Sequence, residues 1–296
     1  MSAIKAVVTV IGQDQKGVVA RFATFLAEKG VNILDLEQQV VHGQFIMDML
    51  VDLADLTLPL DELIMGTRGL GDEINMDVRI TLHNAGKPKR VALLATKEDH
   101  CLEQLIEDWQ HKRLRGEIVC VLANHETLRE QAEAVDLPFE CCTIPTKEDK
   151  PKHFAWLMER LAHYQPDLVV LARYMQVVPS EMVATYPSRI INIHPSLLPF
   201  FPGAKPYHKA WEAGVRVAGC TAHYVTEELD QGPIILQDVF QIEVGKDSAQ
   251  DVKRKGQLLE GRILSDAVQM HLDEKLIVVD GKVVFRPGLS RFLDHL

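Results

Sequence analysis

The run Leu168-Val169-Val170-Leu171-Ala172 constrains this chain most, because five consecutive apolar side chains on a strand leave neither face for water. Such a strand has to be covered on both sides. The segments around it agree. Val91 to Ala95, Ile118 to Ala123 and Phe139 to Ile144 read as further short apolar strands. Between them Cys101, Leu102, Leu105, Ile106 and Trp109, then a shorter helix around Leu128, then Phe154, Leu157, Met158 and Leu161 recur at helical spacing. From residue 91 onward the expected architecture is a Rossmann-like, mostly parallel, doubly wound α/β domain, whose ligands sit beyond the carboxyl ends of the strands. A long amphipathic helix through Val252, Leu259, Ile263 and Val268 and a hairpin turning at Asp280-Gly281 complete it.

The amino-terminal part has a different rhythm. A strand over residues 4 to 11 meets the polar turn Gly12 to Gly17, and Val19, Phe22, Ala23, Leu26 and Ala27 then share one helical face that ends at Gly30. Two strands follow, Val31 to Val40 and one in which Phe45, Met47, Met49 and Val51 alternate. A second helical face at Leu60, Leu63, Ile64 and Thr67 and a closing strand Val78 to Leu82 give the order βαββαβ of a ferredoxin-like α+β domain. The stretch His83 to Arg90 has Gly, Pro and positive charge but no apolar periodicity. The expected division is therefore a domain over 1–84, a linker over 85–90 and a second domain over 91–296.

Composition narrows the class of partner. With 296 residues, 47% hydrophobic and a formal net charge of -10, the chain is long enough for two cores and carries no basic, aromatic-interleaved patch for nucleic acid. No stretch approaches the roughly 20 apolar residues of a membrane span, and the amino end lacks a signal peptide's apolar core. A cytoplasmic protein is expected. Its five cysteines form no Cys-x-x-Cys unit and its histidines show no metal-ligand spacing, so reduced thiols and no metal are expected.

Chemistry is concentrated at Ile190-Ile191-Asn192-Ile193-His194-Pro195-Ser196, where an apolar strand runs into a proline-bounded loop. Asn192 and His194 are two apart and so face the same side, presenting an amide and an imidazole to one oxygen. Downstream, Glu227-Glu228-Leu229-Asp230-Gln231-Gly232-Pro233 supplies carboxylates on a second turn, with Asp230 as the candidate partner.

These segments, together with Pro202-Gly203, resemble the formyltetrahydrofolate-dependent formyltransferase and hydrolase superfamily, and the resemblance implies that Asn192, His194 and Asp230 are the catalytic trio. It also implies a folate pocket lined by Tyr174, Met175, Gln176, Val177 and Val178, with Gly203, Tyr207, Val225, Thr226, Glu228 and Leu229 completing it. The turn Asp14-Gln15-Lys16-Gly17 followed by Gly30-Val31-Asn32-Ile33 resembles the ACT family, which implies an effector site at Asp14, Lys16, Gly17, Asn32 and Ile33. An amino acid, glycine or methionine, is the implied effector. A homo-oligomer, dimer or tetramer, is the implied assembly.

The two domains together are similar to the formyltetrahydrofolate deformylase family, which implies hydrolysis of 10-formyltetrahydrofolate to formate and tetrahydrofolate. Folate is then substrate, with no cofactor, and the reaction balances the one-carbon pool and supplies formate for purine synthesis. Two alternatives belong to other classes: a formyltransferase to an amine acceptor, and a non-catalytic protein that senses folate or an amino acid. Water is favoured as acceptor over a phosphorylated amine because the turn after Ala95, Thr96-Lys97-Glu98-Asp99, has no glycine and places carboxylates where a phosphate would sit.

Overall fold

A computed structural model describes residues 5–41, 43–83, 87–199 and 206–286. The described residues form two units, one reaching Lys87 and including Arg286, the other spanning Pro88–Phe285. The linker expected over 85–90 is shorter at its far end, since Lys89 and Arg90 already pair with Gly116 and Glu117 in a sheet, and residues 85 and 86 lie outside the described residues.

In the first unit the strands β1 (Lys5–Gln13), β2 (Asn32–Val41), β3 (Gln44–Asp52) and β4 (Met76–His83) form an antiparallel sheet in the order β2-β3-β1-β4. Alternate residues Val8 and Val10 of β1 and Met47, Met49 and Val51 of β3 meet Phe22 and Leu26 of α1 (Val18–Glu28) and Leu63 of α2 (Leu60–Glu73) in one core. Gly30 follows α1 at a φ of 75°, where a Cβ would also stand 2.4 Å from the carbonyl oxygen of Asp55. Only glycine fits there.

The second unit has a seven-stranded sheet in the order β11-β10-β9-β8-β5-β6-β7. Its strands are β5 (Lys89–Ala95), β6 (Gly116–Ala123), β7 (Phe139–Cys141), β8 (Leu168–Ala172), β9 (Ile190–His194), β10 (Val217–Tyr224) and β11 (Ile234–Gln241). Strands β7, β6, β5, β8 and β9 are parallel, and β10 and β11 add an antiparallel edge. Period-2 alternation divides the apolar runs between two cores. Val91, Leu93, Leu168, Val170, Ile191 and Ile193 pack with α3 (His100–Gln110), with Ala132 of α4 (Arg129–Glu133) and with α8 (Ala249–Leu272). Ala92, Leu94, Val169, Leu171 and Ile190 pack on the opposite face with Leu157 and Leu161 of α5 (Lys150–Tyr164) and with Met182 of α6 (Ser180–Thr185).

The long helix α8 starts at a capping box in which Ser248 and Asp251 satisfy each other's backbone N–H groups. The hairpin β12 (Leu276–Val279) and β13 (Lys282–Phe285) turns through Asp280 and Gly281, both at positive φ, as the Asp-Gly pair requires.

The structure differs from expectation at two strands. The strand expected over 139–144 ends at Cys141, ahead of a capping box at Thr146 and Asp149 that starts the next helical turn. Strand β10 was not anticipated, because Val217-Ala-Gly-Cys-Thr-Ala-His-Tyr224 mixes small and polar residues without clean alternation.

Candidate active site

The sheet order places β5 between β6 and β8, so the chain reverses its direction of winding there and opens a crevice at the carboxyl ends of β5 and β8. Two backbone details shape that crevice. Thr96, just past β5, is buried, and its hydroxyl accepts a hydrogen bond from the Met175 N–H at 2.9 Å, which ties the segment after β8 to the end of β5. Arg173 takes a φ of 58°, turning the chain sharply out of β8. A cavity of about 350 Å³ lies beyond these ends. That is within the range of small-molecule sites.

Asn192 and His194 project toward this cavity from β9, and Asp230 approaches from the turn after β10. Asp230 sits at a φ of 56°. The turn is held close by the Tyr224 N–H donating to the Pro233 carbonyl at 2.9 Å, and a Cβ on Gly232 would fall 1.7 Å from the Tyr224 carbonyl oxygen. His194 Nδ1 lies 3.2 Å from Asp230 Oδ2. The hydrogen bond from His194, opposed by burial and aided by the charges of His194 and His223, holds the Asp230 carboxyl below its usual range. An ionised carboxylate only accepts, so Nδ1 of His194 carries a proton. Nε2 is buried and has no hydrogen-bond partner among the described residues.

The loop after His194 is anchored by one hydroxyl. Thr221, fully buried on β10, donates to the Ser196 carbonyl at 2.8 Å and accepts from the Leu198 N–H at 3.0 Å and from Gln237 Nε2 at 2.8 Å. All its hydrogen-bonding capacity is used.

One residue escaped the sequence reading. His223 on β10 stands directly opposite Asn192 in the β9–β10 register, with Nε2 3.2 Å from Asn192 Nδ2 and 3.7 Å from Asp230 Oδ1. It is 2% exposed. Burial, helped by His194, pushes its pKa down against the opposing pull of the Tyr224 carbonyl and Asp230, which favours the neutral ring. The available signal was weak: Thr221 and His223 are two apart, the same spacing as Asn192 and His194, on a segment not read as a strand.

The expected folate-pocket residues divide into four groups. Met175, Gln176, Val177, Val178, Val225, Thr226, Glu228 and Leu229 all line the cavity. Met175, Val177 and Leu229 are 62%, 62% and 64% exposed, an apolar rim of the kind a flat ring system covers. Tyr174 borders the cavity, but its side chain turns into the core, where its hydroxyl donates to His153 Nε2 while His153 Nδ1 donates to the Cys142 carbonyl. Tyr207 is a correction: its ring packs against Gly256 of α8 beside Ala218 and Phe240, outside the set that lines the cavity, because the helix α7 (Pro206–Glu212) buries that face. Gly203 lies outside the described residues.

The expected effector residues do not converge within one copy. Asp14, Lys16 and Gly17 follow β1 at the end where Gln13 pairs with Gln44, whereas Asn32 pairs with Asp52, which also pairs with Lys5 at the other end. The two groups are separated by the length of α1, about 16 Å. Ile33 packs against the core of its unit.

His100, Cys101 and Glu260 also lie within 4.8 Å of one another, outside the cavity-lining set. Arg173 Nε is 3.4 Å from Glu260, and burial together with Glu260 pushes the Cys101 thiol well up, so the cluster is built as an ion-pair network rather than a thiolate site.

A doubly wound sheet with Asn192, His194 and Asp230 gathered at the cavity beyond its carboxyl ends, preceded in sequence by a βαββαβ unit, defines an ACT-containing enzyme of the formyl transferase fold. The comparisons agree in both parts. Residues 89–268 match the formyl transferase family and residues 5–81 the ACT domain family. The chain is 38% identical over 92% of its length to the formyltetrahydrofolate deformylase of Bacillus subtilis, of which it covers 90%, and 37% identical over 95% to that of Escherichia coli K12, of which it covers 98%. A solved formyltetrahydrofolate deformylase from Pseudomonas syringae superposes with a TM-score of 0.85 at 36% identity, covering 96% of this chain and 95% of that one. A phosphoribosylglycinamide formyltransferase from Anaplasma phagocytophilum matches at a TM-score of 0.62 and 31% identity, covering 68% of this chain and 96% of its own. The chain belongs to the formyltetrahydrofolate deformylase family.

Proposed function

We propose that this chain hydrolyses 10-formyltetrahydrofolate to formate and tetrahydrofolate, with Asn192, His194 and Asp230 as the reacting trio. The observation that carries the reading is His194, a residue of the cavity lining that Asp230 holds through Nδ1 and whose Nε2 has no hydrogen-bond partner among the described residues. The formyl group is an amide-like carbonyl, so attack by water creates a tetrahedral centre with a negatively charged oxygen. The Asn192 amide donates to that oxygen, and His194 Nε2 exchanges the proton that travels from the attacking water to the departing folate nitrogen. Asp230 holds the imidazole in one tautomer and balances the charge it acquires. The exposed apolar rim at Met175, Val177 and Leu229 suits the pterin ring.

Incubating the protein with 10-formyltetrahydrofolate alone and measuring formate tests this. Steady release with no amine present is expected. Negligible release, together with stoichiometric formylation of an added amine, overturns it in favour of the transferase reading.

The first unit is the regulatory part of this proposal. An amino acid such as glycine or methionine binds there, and because the two groups of candidate residues sit at opposite ends of one sheet, a complete site needs them from two copies of the chain. Calorimetry with each amino acid, paired with sedimentation, tests it. No heat with either ligand, or a monomer that binds one, removes the shared site.

A further inference from the structure

Beside the cavity, two cations from separate elements converge on one carboxylate. Arg173, at the end of β8, approaches Glu98 Oε2 with Nε at 2.8 Å and Nη2 at 2.7 Å, and Lys253 of α8 reaches Glu98 Oε1 at 3.0 Å. Both carboxylate oxygens are therefore engaged. Arg173 is 14% exposed and is one of the residues that line the cavity. Its only other ion-pair partner among the described residues, Glu260, is almost completely buried at 3.4 Å and is also approached by His100 Nε2 at 3.2 Å. Burial would raise the Glu98 pKa, but Arg173 and Lys253 outweigh it and hold the carboxyl below its usual range.

Two converging cations, one of them desolvated, at the switch point of a doubly wound sheet are the arrangement that holds a bound oxyanion. Here the chain supplies the anion itself. The related transformylases are named for phosphoribosylglycinamide, an acceptor with an amine to be formylated and a phosphate to be held. We propose that Glu98 is a specificity-determining residue: a built-in anion that occupies Arg173 and Lys253, denies that place to the phosphate of an amine acceptor, and so reserves the formyl carbon for water. This rests on the hydrolytic reading above and adds the reason for it.

Charge counting makes the consequence definite. Arg173 and Lys253 are balanced by Glu98 and Glu260, and removing Glu98 leaves two cations against one carboxylate beside an open cavity. Such a site binds phosphate where the unaltered chain does not.

The test is titration of inorganic phosphate, without folate, into the full-length protein and into Glu98→Ala and Glu98→Gln at constant low ionic strength, read by calorimetry. Phosphate affinity is expected to rise at least about tenfold in Glu98→Ala and to fall back in Glu98→Ala/Lys253→Ala. If Glu98→Ala does not fold, Glu98→Gln, which keeps the side-chain volume and loses only the charge, carries the comparison. Equal phosphate binding by the unaltered chain and the folded variants overturns the proposal. Formate release by the unaltered chain is measured separately, so failure of the hydrolytic reading is distinguishable from failure of the role given to Glu98.

Discussion

The Asn192 side-chain nitrogen lies 3.2 Å from Nε2 of His223, and the other nitrogen of that ring lies 2.9 Å from the Tyr224 carbonyl oxygen. A carbonyl oxygen only accepts, so Nδ1 of His223 holds the proton and Nε2 must accept. The Asn192 amide is thereby oriented with its NH2 toward His223. One N–H is used on the ring, and the other is left for the oxyanion that the proposed hydrolysis would develop. The opposite amide orientation would set its oxygen against a bare ring nitrogen.

His223→Ala is therefore expected to lower kcat for formate release by about tenfold to a hundredfold with little change in KM, since the substrate's apolar contacts stay in place. His223→Gln, whose side-chain oxygen can accept in place of Nε2, is expected to recover part of the loss. Steady-state kinetics on folded variants decides it, and an unchanged kcat in His223→Ala removes the orienting role.

At Asp230 geometry and charge separate cleanly. Asp230→Asn keeps an oxygen to accept from His194 Nδ1 but removes the charge that balances an imidazolium. Turnover is expected to fall at least about a hundredfold while circular dichroism and thermal midpoint stay close to those of the parent. Turnover within a factor of two or three of the parent would show that the carboxylate acts by position alone.

Thr221→Val is nearly isosteric but removes the hydroxyl that the Ser196 carbonyl, the Leu198 N–H and Gln237 share, although Gln237 Nε2 keeps the Leu198 carbonyl. A buried group left unsatisfied costs about 1 to 3 kcal/mol. Because the same hydroxyl positions the loop after His194, both the urea midpoint and kcat are expected to drop. A variant as stable and as active as the parent would mean that the loop is held by other contacts.

Stability should also depend on pH in a stated direction. His153 and His223 are buried, and burial is the main cause holding the pKa of each below the ordinary 6.5, against the opposing hydrogen bonds to the Cys142 and Tyr224 carbonyls. Between the folded and unfolded values the unfolded chain binds more protons, so stability falls as pH drops below about 6.5. The slope reaches about 1.4 kcal/mol per pH unit for each histidine. Urea midpoints at pH 7.5, 6.5 and 5.5 read this directly, and His153→Phe, which removes one titrating group, should flatten the slope. Equal midpoints at all three values would contradict it.

The sequence alone determined what depends on neighbours a few residues apart. Period-2 alternation shared Val91, Leu93, Ala92 and Leu94 between two faces, and the helical spacing around Leu157 and Leu161 put them on a single stripe. The positive φ of Gly17 and of the Asp280-Gly281 turn followed from residue type, and the pairing of Asn192 with His194 followed from strand geometry. These are local effects, set by backbone sterics and burial along one element. Tertiary structure decided the rest. His223 meets Asn192 only because β10 runs antiparallel to β9 in one register, and a shift by one residue would turn it to the other face. Glu98, Arg173 and Lys253 stand on three separate segments, and nothing in their spacing shows that they share a charge. Tyr207 went into a core and Tyr174 turned toward His153 because packing against Gly256 and the demand for a buried hydroxyl partner outweigh what adjacency to a motif suggests. Contacts between distant segments are fixed by which surfaces the folded chain presses together, and that information is spread over the whole sequence rather than written at either residue.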